Sequence, residues 1–532
     1  MRKRSVLVVL LLVASTLRVA AGGAAVECPD VIDPAVFASE DELRAGNEVM
    51  ADLGARPTAS PEHERFIRWV ERRLAEIGGL SVTALPDTIQ RQLETGDSLV
   101  VGGAAVPTAG PVPYSMPVPD GVTAPMVYVP PATTLADSGV DVAGKIVVRD
   151  AVPGTIPMAV FSAVAYYVHD PDVSFDWSGN YERDWIGAAG RIADLEQAGA
   201  GGAAGLVFLH DLPREQVDGQ YAPYPGVQWK LPAVYLGVDE ASALRDRLAA
   251  GESLSATLRL TATETPAPTR TVIATLPGQS DERVVIQSHT DGMNAVWDNG
   301  PISILALARW FASQPVECRP RTIEFVFTTA HLHLSHAGAH KYAEILDEQY
   351  DSGTVALVVA LEHLGAREFV AVPRADGAPG RRLEASDRSE LFATFTIESP
   401  VLTSSLIDQI LKHDLRRTFV LRGADAPAVA FPPHRSYGGE GGPYREHLVP
   451  TVAAITGPWT LFNPAFDLDE LVDFDLMRRQ TLAFGDLILA VDDVPREVLA
   501  GADTVYREGR SLQEGGGAGS GLHQHHQHRI AR

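Results

Sequence analysis

The chain has 532 residues, of which 45% are hydrophobic and 21% are charged, and its formal net charge is −24 at pH 7. This length and composition are typical of a globular protein large enough for two domains. The acidic balance disfavours a polyanionic partner, so we expect no nucleic-acid binding and interpret the charge as favouring solubility.

Residues 1–21 have the pattern of a signal peptide. The basic triplet Arg2-Lys3-Arg4 precedes an apolar run from Ser5 to Ala14 that is too short to span a bilayer, and the small residues Val19-Ala20-Ala21 follow. This order predicts cleavage close to Ala21 and a secreted, extracellular protein. No later stretch approaches about eighteen uninterrupted apolar residues, so we expect no membrane association after cleavage.

The cysteines of the chain are Cys28 and Cys318. In an exported protein such a pair can form one disulfide, which would tie the mature N-terminus to the loop between a predicted helix and a predicted strand. The sequence does not fix the distance between the two residues, so the paired and the free state both stay open.

Two helices are predicted near the mature N-terminus. The first runs from Ser39 to Leu53, with Ser39 as the cap and an acidic first turn. The second runs from Pro61 to Gly78, and its apolar stripe consists of Phe66, Val70, Leu74 and Ile77.

Residues 107–268 have a different character and are predicted to form a β-rich insertion. Short apolar, β-branched runs at 125–129, 144–149, 205–209 and 231–236 alternate with Pro and Gly. The aromatic stretch from Phe175 to Tyr181 within it either binds substrate or packs against the other domain, and we assign no site residue there.

A strand–helix–strand unit follows and carries the polar residues of most interest. Val284–Gln287 and Thr322–Phe327 have strand character, and apolar residues between them recur at helical spacing. This is the crossover of a mostly parallel sheet, and ligands bind at the carboxyl edge of such sheets. Metal-competent residues follow both strands, namely His289, Asp291 and Asp298 after the first and His331, His333 and His336 after the second.

Four further elements and a tail complete the prediction. Residues 354–361 form a strand buried on both faces, which ends at Glu362. A helix from Val401 to Arg417, a strand from Pro450 to Ile455 and a helix from Asp473 to Val491 follow. The Gly- and His-rich segment 513–532 is predicted to be a disordered tail.

The order of these motifs resembles the secreted co-catalytic zinc aminopeptidases, the group that includes glutamate carboxypeptidase and the glutaminyl cyclases. The His-x-Asp motif of the family stands as His289-Thr290-Asp291, and its Asp-Asn motif stands as Asp298-Asn299. The resemblance implies an α/β fold with a mixed, mostly parallel sheet flanked by helices, formed by residues 38–106 and 269–497. Within the insertion, Val142–Val148 and Leu231-Pro232-Ala233 resemble a protease-associated domain, which the family inserts at this place.

The resemblance also implies a zinc site. His289, the bridging Asp298 and Glu362 match the ligands of one metal ion, and Asp291 matches the acid that orients the first histidine. The ligands of the second ion are replaced by Leu332 and Phe462, which cannot coordinate zinc. We therefore expect one zinc ion or none.

The same resemblance predicts the catalytic group. His331 stands at the position of the general base, where it can act as base or as fourth ligand, and His333 can take either role. Glu440 replaces an aspartate of the family. The first hypothesis is a metal-dependent hydrolase of peptide or other small amide substrates with altered or weak peptidase activity. The second is a non-catalytic relative that binds a ligand through the retained pocket and the insertion.

Overall fold

A computed structural model of the chain describes residues 27–333, 335, 337–425 and 435–516. The predicted signal peptide, His336 and residues 517–532 of the predicted tail lie outside the described residues. The helices are α1 (Glu40–Leu53), α2 (Pro61–Ala75), α3 (Met158–Val164), α4 (Ala188–Ala200), α5 (Val238–Ala249), α6 (Gly300–Ser313), α7 (Ala339–Asp351), α8 (Pro400–Lys412), α9 (Gly441–Glu446), α10 (Leu468–Leu471), α11 (Phe474–Val491), α12 (Arg496–Ala500) and α13 (Asp503–Gly516).

The strands of the described residues fall into one large sheet and three two-stranded ribbons. They are β1 (Ser81–Val101), β2 (Ala104–Val106), β3 (Val118–Tyr128), β4 (Ile146–Asp150), β5 (Gly154–Pro157), β6 (Ala165–His169), β7 (Asn180–Arg183), β8 (Gly205–Leu209), β9 (Ala233–Leu236), β10 (Ser255–Leu276), β11 (Ser280–His289), β12 (Arg321–Thr328), β13 (Val355–Leu361), β14 (Arg367–Pro373), β15 (Arg381–Ser389), β16 (Phe392–Thr396), β17 (Thr418–Leu421), β18 (Ala424–Asp425), β19 (Arg435–Ser436) and β20 (Thr451–Thr456).

The large sheet is mixed and mostly parallel, as predicted. Its order is β6-β17-β16-β20-β13-β11-β12-β10-β3-β4-β8-β9, and β1 pairs with β10 beside this path. The neighbours β12, β11, β13 and β20 all run parallel, so their carboxyl ends meet at one edge. Helices cover the sheet and complete its apolar core.

Strand β13 and helix α6 show how the apolar residues of the sequence form the core of the sheet and its covering helices. All seven residues of β13 are apolar and buried, as is typical of a parallel strand covered on both faces. In α6 most residues are buried, because the helix packs between the sheet and the helices α1, α2 and α11. At the start of α1, Ser39 is the predicted cap, and it forms a reciprocal cap with Glu42.

The predicted insertion is joined to the rest of the sheet by continuous strands. Strand β10 pairs with β3 through its first residues and with β12 through Val272–Leu276, so one strand crosses the predicted boundary at residue 268. At the far end of the sheet, β6 pairs with β17. The predicted insertion thus contributes strands to both ends of the large sheet. Its identity as a protease-associated domain stays a prediction.

The aromatic stretch of the insertion packs against the α/β part. The rings of Phe175 and Phe419 lie 4.7 Å apart between centroids, and Tyr181 is buried in the same apolar cluster. Of the two alternatives left open by the sequence, packing against the other domain therefore describes this stretch.

The structure answers the question of the cysteines and corrects the predicted ends of one helix and of the tail. A disulfide joins Cys28 to Cys318, so the paired state is the one that the structure adopts. Helix α8 ends at Lys412 rather than at the predicted Arg417, since Asp414 and Arg417 have positive φ angles of 46° and 56° and β17 begins directly afterwards. Residues 513–516 of the predicted tail belong to α13. In the described part of the chain, no helix combines the length and apolar character needed to cross a bilayer.

Candidate metal centre

Three buried ligand atoms converge at the carboxyl edge of the sheet. Nε2 of His289 lies 3.6 Å from Oε2 of Glu362, and Nε2 of His363 lies 3.5 Å from the same oxygen. All three side chains are at most 2% exposed, and none of the three atoms has a hydrogen-bond partner in the structure. An unpartnered buried polar atom is costly, so three of them facing one another are typical of a cation-binding site.

The two histidines are held in the tautomer that a metal ion requires. Nδ1 of His289 lies 2.7 Å from the carbonyl oxygen of Asp291, and Nδ1 of His363 lies 2.6 Å from that of Thr456. A carbonyl oxygen only accepts, so each ring donates its Nδ1–H and turns its Nε2 toward Oε2 of Glu362, the side on which a metal ion would bind. Such outer hydrogen bonds are typical of histidine ligands of zinc.

His363 enters this group because the strand β13 has ended. In a continuing strand, Glu362 and His363 would point to opposite faces of the sheet. His363 instead has a left-handed backbone with φ of 55°, which brings both side chains to the same point. The sequence gives the adjacency Glu362-His363 but not this change of backbone conformation, so the prediction included only Glu362.

The donor set and its spacing fit a zinc ion. Zinc bonds to nitrogen and oxygen of about 2.0–2.2 Å place tetrahedral ligand atoms roughly 3.3–3.5 Å apart, close to the observed separations. Burial lowers the pKa of His363 to about 4, which keeps its imidazole neutral. Burial also opposes a charge on His289, but the carboxylates of Glu362 and Glu440 outweigh it and raise the pKa of His289, so the site favours positive charge at this point.

Asp298, predicted as the bridging ligand, has a different partner in the structure. Nη2 of Arg56 lies 2.6 Å from its Oδ1, Nε of Arg56 lies 2.9 Å from its Oδ2, and both side chains are fully buried. Within the described part of the chain, the group able to hold a cation is therefore His289, Glu362 and His363, without Asp298. The guanidinium takes both carboxylate oxygens because Arg56 is fixed beside Gly292 by a backbone bridge.

Asp291 also acts differently from the prediction. Its carboxylate lies 3.9 Å from Nδ1 of His289, whereas its backbone carbonyl accepts from that nitrogen. The carboxylate instead accepts from the backbone N–H of His331 at 3.3 Å, from that of Leu332 at 2.8 Å, and from the Thr58 hydroxyl. Asp291 thus holds the turn that carries His331 rather than the ring of His289.

His331 and Glu440 form a hydrogen-bonded pair beside the three ligand atoms. Nδ1 of His331 lies 2.6 Å from Oε1 of Glu440, and the rings of His331 and His289 stack with centroids 4.2 Å apart. Burial opposes ionisation of Glu440, but the electrostatic interaction and hydrogen bond with His331 outweigh burial and lower the pKa of Glu440. A carboxylate on Nδ1 leaves Nε2 of His331 as the basic nitrogen, and the side chain is 18% exposed.

His333 lies away from this group. Its Nε2 contacts the carbonyl oxygen of Gln90 at 2.9 Å, and its ring packs edge-on against Tyr114. The alternative in which His333 replaces His331 as base or ligand therefore has no support in the structure.

The positions that replace the second metal's ligands are filled by apolar packing. Leu332 is fully buried in a cluster that Phe462 joins, together with Tyr221, Tyr224, Met293, Trp297 and Leu461. The rings of Trp297 and Phe462 lie 4.3 Å apart between centroids. Tyr221 and Tyr224 come from the insertion, which thereby forms one wall of the site.

The buried ion pair of Arg56 and Asp298 can be tested by mutation. Replacing Arg56 by Met would leave Asp298 buried without a counter-charge, so we expect the free energy of unfolding to fall by about 3–5 kcal/mol. The double variant R56M/D298N removes both charges and should recover much of this loss. Urea denaturation followed by circular dichroism would measure both changes. Equal destabilisation of the single and double variants would contradict the role of the pair.

Comparisons with known proteins agree with the fold and the segment that carries the site. Residues 271–395 match the family model described as peptidase family M28. This segment is similar to the M28 peptidases, and the predicted resemblance to the co-catalytic zinc aminopeptidases is confirmed to that extent.

Solved structures of low sequence identity share the fold. A peptidase M28 precursor from Shewanella amazonensis is 16% identical with a TM-score of 0.59, over 85% of this chain and 95% of that one. A zinc aminopeptidase from Bacillus subtilis is 15% identical with a TM-score of 0.58, over 85% and 94%. An aminopeptidase from an Aneurinibacillus strain is 18% identical with a TM-score of 0.54, over 85% and 93%. No curated protein matches the chain.

Proposed function

We propose that the protein is a secreted metal-dependent hydrolase that cleaves an amide bond with a single zinc ion. The observation that carries the proposal is the set of three unpartnered, buried ligand atoms of His289, Glu362 and His363 next to the pair of His331 and Glu440. The relation to the M28 peptidases supports the reaction class. The pattern of residues 1–21 and the disulfide support export, since disulfides persist in oxidising compartments.

His289, Glu362 and His363 would hold the zinc ion in this proposal. Zinc at a site with three protein ligands and an open position supplies Lewis-acid activation of a carbonyl group and of water. The chain supplies the geometry, because the carbonyls of Asp291 and Thr456 fix both rings. Glu362 is fixed as well, since its Oε1 accepts the backbone N–H of Glu440.

His331 is the proposed general base. Its Nε2 would take a proton from the attacking water, and Glu440 would stabilise the imidazolium that results. Stacking on His289 places His331 next to the ligand atoms, where a base must lie to reach the reacting water. Gln287 and the Thr328 hydroxyl hold the other oxygen of Glu440, so the carboxylate cannot turn away from His331.

Removal and return of the metal would test the function. We expect a chain ended before Gly515 to hydrolyse members of a panel of N-blocked and unblocked amino acid anilides, to lose this activity after dialysis against a chelator, and to regain it with one equivalent of zinc. Truncation removes the histidines of the tail, which would otherwise bind zinc loosely. Activity that is insensitive to chelation would refute the metal mechanism. A zinc-loaded chain that binds ligands but hydrolyses none of the panel would favour the non-catalytic alternative.

A further inference from the structure

The carboxylates around the centre are all engaged by other groups of the protein. Glu362 and Asp291 lie 3.6 Å and 3.9 Å from ring nitrogens of His289, and the carboxylates of Glu440 and Asp298 also interact electrostatically with this histidine. Arg56 binds both oxygens of Asp298, and backbone N–H groups with Thr58 bind those of Asp291. Glu440 accepts from His331, Gln287 and Thr328.

Glu362 is the remaining member of this set. Its Oε1 accepts the N–H of Glu440, and its Oε2 faces the two Nε2 atoms of the candidate metal centre. None of the four carboxylates is therefore left to receive a positively charged group of a substrate. A buried ammonium group without a partner charge is strongly unfavourable.

The side chains next to the base are apolar and aromatic, and Tyr224 and Phe462 are the partly exposed members of this group, whereas Trp297 is buried. Trp297 meets His331 edge-on with centroids 6.3 Å apart, and Phe462 and Tyr224 extend the same surface with ring centroids 5.5 Å apart. The three rings pack on one another, with Tyr224 and Trp297 5.9 Å apart, so they form a wall rather than an open cage around a cation. Such a wall favours an uncharged, apolar acyl group by burying its surface.

We propose that the substrate carries no free ammonium group beside the scissile carbonyl, so that the enzyme hydrolyses N-acylated amino acid derivatives in preference to compounds with a free N-terminus. This inference rests on the proposed hydrolase function and names its substrate class. In the reaction, the oxygen of water joins the carbonyl carbon, the amide C–N bond breaks, and the leaving nitrogen takes a proton. The acid that results keeps its acylated nitrogen.

A matched pair of substrates tests the proposal on the zinc-loaded chain. We expect kcat/KM for N-acetyl-leucine p-nitroanilide to exceed that for leucine p-nitroanilide by at least about tenfold. The reason is that the free ammonium group finds no charged hydrogen-bond partner in the site, and lack of one such partner costs about this factor. Calorimetry supplies a readout independent of turnover, in which N-acetyl-leucine should bind more tightly than leucinamide. Preference for the free amine in either measurement would overturn the proposal, and so would absence of binding by both ligands.

Two variants of the wall separate charge from shape. F462D would place an uncompensated carboxylate against Trp297 and Tyr224, in the aromatic cluster next to the base, whereas F462N removes the same ring without adding charge. We expect F462D to shift the kcat/KM ratio toward the free amine by about tenfold relative to F462N. Equal ratios in the two variants would show that charge does not set the preference. If neither anilide is hydrolysed while N-acetyl-leucine still binds preferentially, the hydrolase function fails but the ligand class stands.

Discussion

Replacement of His363 by alanine is expected to lower the zinc affinity of the chain by more than about 100-fold, because loss of even an outer partner of a ligand costs 10–100-fold. His289→Ala should have the same effect, since Nε2 of each ring faces Oε2 of Glu362. Elemental analysis and calorimetric zinc titration of the chain ended before Gly515 would measure the loss.

His333→Ala is the matched control for this experiment. His333 is a buried histidine two residues from His331 in the sequence, but its Nε2 contacts the carbonyl oxygen of Gln90 and not the candidate metal centre. One zinc ion should therefore remain bound in this variant. The double variant R56M/D298N should also keep the ion, because it removes Asp298 without leaving Arg56 as an unpaired buried charge. An ion count that survives His363→Ala and falls in R56M/D298N would restore the ligand set predicted from the sequence. Two tightly bound ions per chain would refute the single site.

Replacement of His331 by glutamine is expected to lower kcat by about 10²–10⁴-fold, the usual contribution of a positioned general base. Glutamine has similar size and can still donate to Glu440, so the packing around the turn should persist. Zinc content should stay at one ion, which distinguishes loss of the base from loss of the metal. Steady-state kinetics on the preferred anilide, with metal analysis of the same sample, would measure both quantities.

Two outcomes would contradict the assignment of His331 as the general base. If His331→Gln retains activity but Glu440→Gln does not, the carboxylate rather than the imidazole acts on water. If His331→Gln loses its zinc, His331 is a fourth ligand, which is the other role that the sequence left open. Each result corresponds to a different use of the hydrogen bond of 2.6 Å between the two side chains.

Two positions predicted to lack metal ligands lie together in the structure. Leu332 and Phe462 both pack in one apolar cluster with Trp297. Arg56 pairs with Asp298, the carboxylate predicted to bridge two ions, and both side chains are fully buried. This arrangement supports the proposed single-metal site, because Asp298 already has a counter-charge from the protein.

The local pattern of the sequence determined the fold class and the neighbourhood of the site. Apolar runs such as 284–287 and 354–361 identify buried parallel strands, because such strands cannot tolerate polar residues on either face. The positions of His289, His331 and Glu362 at strand ends then bring them to one edge of the sheet. These features depend on neighbours in the chain, so they can be predicted from it.

Only the tertiary structure decided which of these residues act together. The engagement of Asp298 by Arg56 joins residues 242 positions apart, and the pairing of His331 with Glu440 joins residues 109 positions apart. The entry of His363 depends on a left-handed backbone at the end of β13. Long-range partners compete for each carboxylate, and a single sequence does not reveal which partner lies within 3 Å. The proposed ligand set depends on such tertiary contacts, because it consists of three buried atoms that have no hydrogen-bond partner.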